Sequence, residues 1–194
     1  MNVATQRHRA QQLLLRKATI EQLVALWPTL DWARLDATYP ALAVQVAALV
    51  QRNRQTSTGL TVAYVRALAR TAGVAAPDIT LADPLNVDQF QATLHSTSVA
   101  TAKKAASNGI AGDVAMKNAL TLTQGAMARL VLDGGRETAM ATMAADNRIV
   151  GYRRILGGGG CDFCRELAGR VYHRDNADFQ AHGHCACSSE LVFA

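Results

Sequence analysis

The chain is decided at Gly157-Gly158-Gly159-Gly160-Cys161-Asp162-Phe163-Cys164, followed after a spacer by His182-Gly183-His184-Cys185-Ala186-Cys187. All four cysteines of the protein lie in this stretch, as C-x2-C and then H-x-H-C-x-C. Soft thiolates and imidazoles gathered this closely suit a tetrahedral zinc ion. A C-x2-C turn presents both sulfurs to one metal, and the second cluster completes the coordination from further along the chain. Six candidates, Cys161, Cys164, His182, His184, Cys185 and Cys187, compete for four places, and Cys161, Cys164, His182 and Cys185 form the first ligand set. Cys187 is the natural substitute, because residues two apart on an extended strand point the same way. A four-cysteine site is the other arrangement, with His184 behind the ligands or on the surface. Disulfides fit less well, because nothing in the chain looks secreted.

Outward from this stretch, 194 residues suffice for one sizeable core, or one core and a small appended module. About half the residues are hydrophobic (49%), which makes the chain globular rather than disordered. Few aromatics and abundant alanine favour helix over sheet. The formal charge of +5 is compatible with a nucleic-acid partner without demanding one. Arg7, Arg9, Arg16 and Lys17 form the densest basic group near the N-terminus, most simply a solvated helix face. No apolar run has the length a bilayer needs, and residues 1–16 lack the apolar stretch of a signal peptide. These features point to synthesis in a cytoplasm, where thiols stay reduced.

Residues 4–27 read as a helix with Ile20, Leu23, Val24 and Trp27 on one apolar face, stopped by Pro28. Asp31 caps a short turn. A second helix is expected to start at Pro40, to carry Leu42, Val46, Leu49 and Val50, and to end at Gly73. Its polar segment 52–58 either continues it through solvent or interrupts it. Asn86 or Asp88 caps a helix reaching about Ser107. Asp113 caps a run to Leu132, Gly134-Gly135 breaks it, and Arg136–Asn147 forms a further helix with Met140 and Met143 inward. Strands are expected at Ile149–Leu156, Arg170–His173 and Glu190–Phe193. The predicted fold class is mainly α: a multi-helix body over residues 1–148, then a small zinc-stapled β-rich module over 149–194.

Several chemistries are excluded. Gly157–Gly160 is no phosphate loop, since no Lys-Ser or Lys-Thr follows. A zinc deaminase needs His-x-Glu or Cys-x-Glu ahead of P-C-x-x-C, but His8, His95, His173 and His182 each lack a glutamate two residues later, and Gly160, not proline, precedes Cys161. There is no H-E-x-x-H and no G-x-S-x-G. A Cys164–His173 nucleophilic pair competes with the better use of Cys164 as a ligand. The chain is therefore expected not to be an enzyme.

The segments Asp133–Thr138, Asp146–Arg153, Cys161–Cys164, Leu167–Tyr172 and Phe179–Cys187 resemble the MuF-like (phage Mu protein F-like) minor head proteins of tailed bacteriophages, in their actinophage form. That family ends in C-x2-C followed by His-Pro-x-Cys-x-Cys. His182, Cys185 and Cys187 match its His, Cys and Cys, while Gly183 stands where the element has proline. The resemblance covers roughly residues 120–194. It implies a structural virion protein, present in a few copies at the portal vertex and head interior. Its partners would be the portal protein, the major capsid protein, or both, and its work head assembly, DNA packaging or ejection. Packaged DNA is a further candidate partner, through Arg153, Arg154, Arg165, Arg170 and Arg174 around the metal region.

Overall fold

The computed structural model describes residues 2–157, 161–176 and 178–194. The run Gly158–Gly160, on which the glycine-loop reading falls, lies outside them. The chain is mainly helical with a small C-terminal sheet. Its elements are α1 (Val3–Leu26), α2 (Leu35–Thr71), α3 (Val87–His95), α4 (Thr101–Ser107), α5 (Gly112–Ala145), β1 (Ile149–Ile155), α6 (Asp162–Leu167), β2 (Val171–His173) and β3 (Ser188–Phe193).

Helices α1 and α2 form an antiparallel pair, joined by two 3-10 turns at Trp27–Thr29 and Trp32–Arg34. Asn2 caps α1 by accepting from the Thr5 amide, and Asp31 accepts from the Ala33 amide at the second turn. The joined end of the pair is apolar: Leu23, Trp27, Leu42, Val46 and Leu49 are buried with Phe90, Leu94 and Met127. Each such side chain contributes roughly 1.5–3 kcal/mol on burial. Val24, expected on the inner face, is 44% exposed instead. Toward the open end the seam is polar. Thr5 meets Tyr64 Oη at 3.2 Å, His8 Nε2 meets Thr61 Oγ1 at 3.1 Å, and Gln12 donates to the Ser57 carbonyl at 3.2 Å. The segment 52–58 therefore continues the helix without interruption, with Asn53, Arg54 and Ser57 buried on one side and Arg52, Gln55 and Thr56 exposed on the other.

Three helix boundaries differ from expectation. Helix α2 begins at Leu35, directly from the preceding turn, and Pro40 lies inside it. Helix α5 begins at Gly112 without a side-chain cap, and Asp113 sits in its first turn, where a carboxylate favours the helix dipole. The third difference is the largest. Gly134-Gly135 does not break the chain, and α5 runs unbroken for 34 residues. A β-carbon on Gly134 would stand 2.6 Å from Arg54 Cγ, and one on Gly135 would stand 2.5 Å from Thr61 Oγ1. These glycines let α5 cross α2 closely, a tertiary requirement that outweighs their poor helix propensity.

The helix from Val87 is capped by Asn86 and passes through one π turn, Ser96–Ala100, before α4. After α5 the chain enters a three-stranded antiparallel sheet of order β2-β1-β3. Its inner residues Ile149, Tyr152 and Leu191 pack with Tyr64, Val65 and Leu68 of α2 and with Ala139 and Met143 of α5. The strap between β2 and β3 and the short helix α6 then carry the cysteines and histidines.

Candidate metal centre

Helix α6 opens on Cys161, whose sulfur caps it by accepting from the Cys164 amide at 3.5 Å. That geometry brings both sulfurs of the C-x2-C turn to one side. The second cluster arrives on the strap, at a turn closed by the Cys185 amide donating to the His182 carbonyl at 3.1 Å. Gly183 takes the second position of this turn, a place that also suits proline. His184 takes the third in the left-handed region, φ 64°. Strain of that size, on the order of 1 kcal/mol, needs external support. The support comes from α5, where the His184 ring lies against Gly125 and its amide reaches the Gly125 carbonyl at 3.4 Å.

The result is two adjacent three-donor groups sharing Cys164. Cys161, Cys164 and His182 form one, and Cys164, Cys185 and Cys187 the other, with the donor atoms of each group within 4.8 Å of one another. Cys161 Sγ is 3.0 Å and Cys164 Sγ 3.4 Å from His182 Nε2, and Cys164 and Cys185 sulfurs are 3.9 Å apart. None of the four cysteines is in a disulfide. All five predicted donors are thus brought together. His184 belongs to neither group. Cys164, Cys185 and Cys187 are buried against Leu156, Phe179 and Ala181, while Cys161 forms the exposed edge.

The donor set fits a tetrahedral thiophilic ion. Metal–sulfur bonds of about 2.3 Å place tetrahedral sulfurs roughly 3.8 Å apart, close to the Cys164–Cys185 separation. His182 Nδ1 is 2.5 Å from the Gly183 carbonyl and donates to it, which leaves Nε2 as the unprotonated nitrogen facing the thiols.

The electrostatics favour thiolate on one side and thiol on the other. The Cys164 amide holds the Cys161 thiol below its ordinary value. Burial pushes Cys164 up. A hydrogen bond from the Cys187 thiol brings Cys185 down to about 4, with Arg136 adding to the effect, and Cys187, which holds the shared proton, is raised. His182 is raised, first by its bond to the Gly183 carbonyl.

Four residues that sequence reasoning did not assign to the site hold the strap in place. Arg136 of α5, 5% exposed, donates to the Cys187 carbonyl from Nε at 3.0 Å and from Nη2 at 2.9 Å, and to the Cys185 carbonyl at 2.9 Å. Asp133 pairs with its Nη1 at 2.7 Å. Tyr152 donates to the Asp178 carbonyl at 2.9 Å. Arg154 donates to the Gln180 carbonyl at 2.6 Å, with its guanidinium 4.1 Å above the Phe179 ring. The sequence carries no local mark of these roles, since Arg136, Tyr152 and Arg154 each donate to a backbone carbonyl at least 26 residues away.

The arginines expected to face nucleic acid are largely engaged elsewhere. Arg154 of β1 is buried beneath the strap, Arg153 pairs with Glu190 at 3.7 Å, Arg165 with Asp162 at 2.6 Å, and Arg174 donates to Asn147. Among the described residues no helix is long and apolar enough to cross a membrane.

A helical protein closed by a thiol-rich C-terminal cluster is the class that fold and site define. The chain belongs to the VG15 protein family, a family of phage proteins, which it matches over residues 2–194. No curated protein and no solved structure matches it.

Proposed function

We propose that the chain is a non-enzymatic structural protein of a tailed-bacteriophage head, a MuF-like minor capsid component carrying a structural zinc ion. The observation that carries this reading is the family match across nearly the whole chain, from residue 2 to residue 194. The donor cluster supports its metal part. Cys161, Cys164, His182, Cys185 and Cys187 supply the ligands, four at a time. When bound, the ion cross-links α6 to the strap, a covalent substitute for the core that so short a segment lacks. Arg136 then ties the cross-linked strap to α5.

Such a protein acts by docking. Val3, Leu14 and Val24 of α1 are 80%, 67% and 44% exposed, and their spacing sets them along one side of the helix. This face is the surface offered to the portal or the major capsid protein, with a few copies at the portal vertex, made in the host cytoplasm. The test is protein analysis of purified particles, with labelling to place the chain at one vertex. A chain absent from purified heads sinks the assignment. Elemental analysis giving about one zinc per chain, lost in Cys161→Ala and Cys185→Ala, supports the metal reading. Metal-free protein purified without chelator overturns that part alone.

A further inference from the structure

The charge of this protein is segregated in a way its linear sequence hides. Residues 1–20 and 37–77 hold eight of the 20 lysines and arginines and none of the 15 aspartates and glutamates, so the remainder is net acidic. The antiparallel pairing of α1 with α2 sets these two stretches side by side. Contacts of Ser57, Thr61 and Tyr64 with α1 turn Arg52, Arg66 and Arg70 to the outer side of α2. Arg52, Arg66 and Arg70 are all exposed. Among the described residues none of the three has an ion-pair partner.

A second observation falls on the same face. Arg52, Gly59 and Arg66 recur at seven-residue intervals, which places them on one line along α2, with the small residues Thr56 and Ala63 between. Gly125, Gly134 and Gly135, inside α5, each have a side chain where a β-carbon would stand; Gly59 has nothing within 4 Å. A glycine in a helix interior weakens it, and no internal packing accounts for this one. The line of small residues leaves room for close approach from outside, between cations spread over about 27 Å from Arg52 to Arg70. A second copy of the chain would set arginine against arginine here. A rod-like polyanion fits.

We propose that the outward face of α2, formed by Arg52, Gly59, Arg66 and Arg70, docks the phosphodiester backbone of double-stranded DNA without reading its sequence. The contact is electrostatic and rests on neither the metal nor the virion assignment. The arginines neutralise phosphates and release their counterions, and Gly59 lets the helix lie close to the strand.

The experiment is fluorescence anisotropy of a labelled mixed-sequence duplex with the full chain, across about 50 to 200 mM salt. Three phosphate contacts give a log–log salt slope of about −2.7. Arg52→Gln/Arg66→Gln/Arg70→Gln should lose at least tenfold in affinity and most of that slope. The control Lys104→Gln/Lys117→Gln/Arg170→Gln removes equal charge elsewhere and should bind within about twofold of the parent. Gly59→Leu keeps every charge but fills the gap, and should weaken binding several-fold. Circular dichroism checks that each variant is folded. No binding of duplex at low salt overturns the proposal, as do equal losses in the two triple variants or parental binding by Gly59→Leu. Equal capture by poly-glutamate reassigns the face to an acidic protein and also overturns it. Tighter binding of single strands than of duplex overturns the duplex assignment.

Discussion

The guanidinium of Arg136 donates two hydrogen bonds to the carbonyl of Cys187, from Nε at 3.0 Å and Nη2 at 2.9 Å, across 51 residues of sequence. Through this pair the middle of a long helix fixes the backbone of the C-x-C segment. Asp133 fixes the guanidinium in turn. The candidate metal donors and the helical body therefore share one buried polar network.

Arg136→Ala removes this donor from the carbonyls of Cys185 and Cys187 and leaves Asp133 with Arg129. We expect a loss of about 3 kcal/mol by urea unfolding of the zinc-loaded chain. Zinc affinity, measured by competition with a chromophoric chelator, should fall by about 10–100-fold, as for other residues that hold ligands from behind. Unchanged affinity would mean that the strap keeps its shape without α5.

Removing the metal should loosen the molecule unevenly. Amide exchange after chelation is expected to rise in residues 161–187, while α2 and the centre of α5, packed in the apolar core, keep their protection. Uniform loss of protection would show instead that the ion supports the entire fold.

Two glycine substitutions should act with opposite signs. Gly59→Ala, in open space, should stabilise by roughly 0.5–1 kcal/mol from helix propensity alone. Gly135→Ala should destabilise by about 1–3 kcal/mol, because its methyl meets Thr61 and Ser57. Thermal melts of the pair check this; stabilisation by both would place the α2–α5 crossing further apart than described.

Burial lowers His8 to about 4, well below its ordinary 6.5. The unfolded chain then binds this proton at higher pH than the folded one. The stability held by neutral His8 is complete above about 6.5 and is lost as pH falls toward 4, on the order of 3 kcal/mol in all. Urea midpoints measured across that window should fall less steeply for His8→Gln than for the parent. The difference between the two isolates His8 from the metal ligands, which also protonate in acid.

Much of this was legible in the sequence. Helical periodicity located α1, the body of α2 and the helix capped by Asn86, and β-branched runs located the three strands, because both signals are local. The cysteine and histidine spacing likewise marked the five donors, since a knuckle is built by residues a few positions apart. Tertiary contact decided the rest. Gly134 and Gly135 read as a break until α2 is seen against them. His184 read as a ligand candidate until α5 draws its ring to Gly125. Arg136 gave no signal and Arg154 read as a contact for DNA, because a guanidinium is committed to a carbonyl only when the chain brings the two together. The basic face is of the same kind. Arg52, Arg66 and Arg70 share an outer surface because Ser57, Thr61 and Tyr64, on the other side of the helix, pack against α1.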